Sequence, residues 1–141
     1  MVARKKEPMV DAEALKREEV MNDTSNTVLM TAGFTELVFD RLQAAIFNAM
    51  QANGFWEGSQ DNTGSKIALM HSELSEALEA DRKGITADDK VPEFDGVTAE
   101  LADCVIRILD FAGRHQLPLG AAISTKMLYN LSRSYKHGKA Y

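Results

Sequence analysis

The sequence predicts an all-α protein arranged as a four-helix bundle. Three observations carry this. Four stretches repeat apolar residues at helical spacing, glycine and proline fall at the ends of those stretches, and no stretch shows the β-branched alternation of a strand. The chain has 141 residues, a length that favours one domain with its own core. Hydrophobic residues make up 45% of it, as expected of globular material.

Residues 1–30 read as a mobile polar tail, because they offer too little apolar surface to offset the entropy of ordering. A short helix over Val10–Met21 is available within it. Residues 31–141 form the helical domain. Its first helix runs from about Thr35 to Ala52, on Leu37, Val38, Leu42, Ala45, Ile46, Ala49 and Met50, and Asn53-Gly54 ends it. A turn-rich loop with two aromatics, Phe55 and Trp56, follows.

The second helix spans about Ser65 to Lys83, with Ile67, Met70, Leu74, Ala77 and Leu78 as its stripe. Gly84 is placed to cap it, and Arg82 and Lys83 suit its negative dipole end. A loop over 85–96 holds Asp88, Asp89 and Glu93, and Asp95 begins the next element. The third helix spans about Val97 to His115, with a wide apolar face on Leu101, Cys104, Val105, Ile108, Leu109, Phe111 and Ala112. Pro118 opens the fourth helix, which carries Ile123, Met127, Leu128 and Leu131 and extends to about Lys136.

Charge and composition exclude several functions. A net charge of -5 disfavours a general nucleic-acid binder. No apolar run approaches the roughly 18 residues of a membrane span. The basic N-terminus lacks the apolar stretch of a signal peptide, and the single cysteine, Cys104, permits no intramolecular disulfide. A cytoplasmic location is the expectation. A Walker-type phosphate loop is absent, as is the Glu-x-x-His pair of a di-iron bundle.

Two acidic pairs stand out. Glu73 and Glu76 lie three residues apart on the second helix, and Glu100 and Asp103 three apart on the third. Residues at i and i+3 share a helix face. At about 100° per residue each pair flanks its apolar stripe. If the two helices are antiparallel neighbours, all four carboxylates converge. Oxygen-only ligands suit magnesium, calcium or manganese rather than zinc or copper, and magnesium, which bridges phosphate oxygens readily, comes first with manganese as the alternative. Either motif alone is usually a solvated face, and Glu79 and Asp110 are further acids on the same helices. Arg107 is within one turn of Asp103 and Asp110, so ion pairing along the third helix competes with the metal reading.

The last helix has a basic face. Lys126, Asn130, Arg133 and His137 follow at i, i+4, i+7 and i+11, within about 60° of one another, with Lys136 and Lys139 beside them. Lys and Arg recognise phosphate oxygens, and Asn reads a base or sugar edge. A basic helix end complementing its own dipole accounts for Lys136 and Lys139 but not for Lys126 and Asn130. Trp56 is placed either to stack on a nucleobase or to close the end of the bundle. His71, His115 and Cys104 read as packing residues.

With these residues in view, the chain resembles the MazG-like branch of the all-alpha nucleoside triphosphate pyrophosphohydrolases. The matching segments are HSELSEALEADRKG, AELADCVIRILDFAG and KMLYNLSRSYKHGK, within roughly residues 35–139. The resemblance implies a MazG-type bundle assembled as a homodimer or homotetramer, with part of each site supplied by a neighbour. It implies magnesium bound by Glu73, Glu76, Glu100 and Asp103, which serve catalysis. It implies nucleotide contacts from Lys126, Asn130, Arg133, Lys136, His137 and Lys139. The expected reaction is hydrolysis of a nucleoside triphosphate to monophosphate and pyrophosphate, for pool control or housecleaning. Phosphoribosyl-ATP pyrophosphohydrolysis, a non-catalytic nucleotide or metal sensor and a structural dimerisation module remain the alternatives.

Overall fold

A computed structural model describes residues 12–58 and 62–133. Those residues form four α-helices and no strand: α1 (Ala12–Ala52), α2 (Thr63–Lys83), α3 (Gly96–Arg114) and α4 (Leu119–Leu131). The all-α expectation holds. None of the helices in the described residues is long and apolar enough to cross a membrane. The chain divides into two compact units, each described by itself. The first contains α1 up to Glu36 together with α4 from Gly120, and the second is Leu37–Leu119.

The segment read as a polar tail is helical from Ala12 onward and continues without interruption into the expected first helix. No proline and only one glycine, Gly33, occur in this stretch, so nothing forces a break. Its hydroxyl residues turn inward on the backbone. Thr24 donates to the Val20 carbonyl at 2.8 Å, Ser25 to Met21 at 2.8 Å and Thr31 to Thr27 at 2.7 Å. That back-bonding accommodates a polar stretch within a helix.

In the second unit, α2 and α3 pack as an antiparallel pair. Gly96 lies against Ala80, Glu100 opposite Glu76, and Cys104 donates its thiol to the Met70 carbonyl at 3.6 Å, so numbers rise on one helix as they fall on the other. The signals that bound these helices are explicit. The Asn62 side chain caps the N-terminus of α2, accepting from the Ser65 N–H at 3.1 Å. Gly84 ends α2 in the left-handed conformation at φ 63°, and the Ile85 N–H reaches back to the Ala80 carbonyl at 3.0 Å, a glycine-terminated stop. Asp95 caps α3, accepting from the Thr98 N–H at 2.8 Å and its hydroxyl at 3.0 Å. These contacts hold its carboxyl below the usual range.

The end of α1 meets α3 at Gly113. A β-carbon there would stand 2.6 Å from Phe47 Cβ and 3.0 Å from the Gln43 carbonyl oxygen. Gln43 is buried and donates to the Leu117 carbonyl at 3.1 Å.

The predicted apolar stripes divide. The buried apolar residues are small, namely Ala77, Ala80, Cys104 and Ala112, with Leu109 the one large side chain fully enclosed among the described residues. Ile67, Leu74 and Leu78 on α2 and Leu101, Val105 and Ile108 on α3 are exposed. Each set is turned through about 100° from the face that meets the other helix. In an antiparallel pair these rotations bring both sets to the same side of the hairpin.

Candidate functional site

The carboxylates arise where the α2–α3 seam passes along Glu73, Glu76 and Glu100. One oxygen from each lies within 4.8 Å of the others. Glu73 is buried at 4% exposure, Glu100 is half-buried and Glu76 is exposed. The register that sets Gly96 against Ala80 also sets Glu100 opposite Glu76, so the helix pairing itself assembles the cluster.

The electrostatics follow from that crowding. Burial raises the pKa of Glu100 first. The charge of Glu76, a hydrogen bond and charge from Glu73, and the charge of Asp103 add to it. Asp103 is exposed and stands outside the three-oxygen group, although its charge reaches Glu100. Three of the four expected ligands are therefore brought together, with the fourth alongside.

Arg107 answers part of this negative charge. Its Nε–H donates to Glu73 Oε1 at 2.5 Å. The pairing along its own helix that Asp103 and Asp110 make available is not the one formed, since the partner of Arg107 lies across the seam. Glu100, Asp103, Arg107 and Asp110 share one face of α3 by their spacing, and the antiparallel register sets that face against α2.

Beside the cluster is a cavity of about 370 Å³, whose lining includes Lys66, Leu69, Asp103, Ile106, Arg107 and Asp110. Asp110 is buried and accepts from the Trp56 Nε1–H at 2.9 Å. The Trp56 ring meets Phe47 edge-on at 6.2 Å between centroids, and Lys66 Nζ stands 3.8 Å above it. Trp56 thus closes the packing between α1 and α3 while adjoining a residue of the cavity.

No family model, curated protein or solved structure matches this chain.

The basic face of α4 belongs to the first unit. Lys126 and Asn130 are exposed on α4, which ends at Leu131, and the expected end near Lys136 lies outside the described residues. Just past the end of α4 the Ser132 hydroxyl donates to the Tyr129 carbonyl at 2.7 Å. Arg133 consequently stands beyond the helix, and the single-face argument does not extend to it. Lys126 Nζ and the Arg133 guanidinium lie 5.7 and 6.0 Å from the Tyr129 ring centre. Arg133 also lines a wider cavity of about 730 Å³ in the first unit, together with Lys16, Arg17 and Met21. Lys136, His137 and Lys139 lie outside the described residues.

His71, expected to pack, is exposed. His115 packs on Phe111 with ring centres 4.2 Å apart, and Cys104 is buried as expected. Sequence reasoning missed Lys66, Arg107 and Asp110 as residues of the site. The four-residue step from Asp103 to Arg107 and the seven-residue step to Asp110 were the available signal for two of them. Lys66, in the first turn of α2, offered none.

Proposed function

We propose that this chain is a magnesium-dependent nucleoside triphosphate pyrophosphohydrolase. The observation that carries the reading is the approach of Glu73, Glu76 and Glu100 to within 4.8 Å, with Asp103 at their edge. The donor set consists of carboxylate oxygens alone, and burial together with its neighbouring carboxylates raises the proton affinity of Glu100. A hard divalent cation relieves that repulsion and suits those donors. Glu73, Glu76, Glu100 and Asp103 would hold it. Bound there, magnesium supplies charge neutralisation for phosphate oxygens and lowers the pKa of a water molecule.

The chain's own residues orient the reaction. The buried Glu73 is fixed by Arg107, so its carboxylate holds one direction. Water adds across the phosphoanhydride bond between the α- and β-phosphates. That bond breaks, monophosphate and pyrophosphate leave, and a proton is released. Lys126, Asn130 and Arg133 remain proposed nucleotide contacts on the strength of the resemblance.

A second reading is favoured by one observation. The Arg107–Glu73 pair neutralises part of the cluster without any metal, which suits a structural helical module. The deciding experiment is product analysis of purified protein with a panel of canonical and modified nucleoside triphosphates, and with phosphoribosyl-ATP, in magnesium. Monophosphate and pyrophosphate in equal amounts support the enzyme. Absence of turnover together with metal-independent thermal stability supports the module.

A further inference from the structure

We propose that Arg107 bridges two functions, fixing the carboxylate of Glu73 with one N–H and, with Lys66, forming the wall that receives the phosphate chain of the substrate. The proposal rests on the reading of the cluster as a metal site for a polyphosphate ester.

A guanidinium carries five N–H donors in a rigid fork. Only Nε is committed, to Glu73, and the terminal nitrogens make no hydrogen bond among the described residues. The side chain is 41% exposed while its partner carboxylate is almost fully enclosed. One edge of the fork therefore faces a proposed metal ligand while its other donors remain uncommitted.

The surroundings indicate what those donors meet. Arg107 lines the 370 Å³ cavity, and Lys66 supplies a second cation to the same wall. Lys66 forms no ion pair among the described residues and stands over the Trp56 ring. Two acids also line the cavity. Asp110 is engaged by the Trp56 indole N–H, and Asp103 belongs to the acidic motif whose charge a cation would offset. Two available cations next to a metal-ligating carboxylate fit a group that must lie on protein cations and on a metal at once. A phosphate chain has that chemistry, and the planar fork matches pairs of phosphate oxygens.

A simpler role competes with this one, in which Arg107 only neutralises the buried Glu73. Binding of Mn²⁺, followed by binding of inorganic tripolyphosphate to the Mn²⁺-loaded protein, separates the two by calorimetry. Arg107→Gln should weaken tripolyphosphate binding on the order of tenfold, and shift the Mn²⁺ constant less than that. Arg107→Lys should recover part of the loss, since it restores charge without the fork. Lys66→Gln should weaken tripolyphosphate binding severalfold and leave Mn²⁺ binding unchanged. If Arg107→Gln fails to fold, Arg107→Lys and Lys66→Gln carry the same expectation. Unchanged tripolyphosphate affinity in the variants, with Mn²⁺ binding intact, overturns the phosphate wall and leaves the metal reading standing. A wild-type protein that binds no Mn²⁺ overturns both.

Discussion

Neutralising Glu100 and neutralising Glu73 should move the stability of the metal-free protein in opposite directions. Glu100 sits among Glu76, Glu73 and Asp103 and resists ionisation, so Glu100→Gln removes repulsion and should raise the melting temperature in chelator. Glu73 is ion-paired to Arg107, so Glu73→Gln leaves that cation with only a neutral acceptor. The cost is about 1 kcal/mol, kept small because Arg107 is partly solvated. Both variants should lose most magnesium-dependent turnover, because each removes an anionic donor. Thermal melts with and without magnesium check the pair, and two variants that shift alike in chelator would contradict the assigned electrostatics. The acids were legible in the sequence because i and i+3 spacing alone puts them on shared faces. Arg107 was not, because its partner lies across a helix pair whose register had to be known first. Within its own helix, Asp103 and Asp110 looked like equally good partners.

Helix ends and helix crossings each give a test at the level of the element. Asp95 accepts two hydrogen bonds from Thr98, and its folded-state pKa is depressed. A depressed carboxyl pKa means that the cap contributes fully above the ordinary carboxylate value and is lost as pH falls through the lowered one. Asp95→Ala should therefore lower the melting temperature by a few degrees near neutral pH, and the deficit should shrink in strong acid. A deficit independent of pH would remove the carboxylate from the cap. Gly113 and Gly33 make a second comparison. Gly113→Ala forces a methyl against Phe47 and the Gln43 carbonyl, and should cost about 1–3 kcal/mol. Gly33→Ala meets nothing within 4 Å and should stabilise α1 by about 0.5–1 kcal/mol. Denaturant titration measures both. The boundaries of α2 and α3 were readable because Gly84 and Asp95 act through local backbone chemistry. The helical course of the first half of α1 was not legible, because the reading of residues 1–30 rests on their small apolar surface and periodicity does not register hydroxyls that bond the preceding turn, as Thr24, Ser25 and Thr31 do.

At the scale of the whole molecule, the second unit leaves Leu74 and Leu78 exposed on α2 and Leu101 and Val105 exposed on α3, on one side of the hairpin. Exposed apolar side chains on one side of a helix pair suit burial against a partner, and a second copy of the chain is the partner we propose. Light scattering should find a dimer or tetramer, and Val105→Glu together with Leu74→Glu should yield monomers that remain helical. A wild-type monomer at working concentration would rule out that interface. Sequence periodicity identifies these residues as apolar and leads to the expectation that the wide faces of the third and fourth helices exceed what one chain covers, but a stripe alone does not say which of its residues a single chain buries. The hairpin has a further consequence for how the chain folds. Glu73 and Arg107 are 34 positions apart, and every proposed metal ligand lies between them or at Glu73 itself. The entropy of gathering the acids is that of closing one modest loop, and loop length enters only logarithmically. The repulsion among them must therefore be met as soon as α2 and α3 pair. Arg107 is carried on the same hairpin as the acids, so the counter-charge arrives in the same closure event, whether or not metal or a second chain is present.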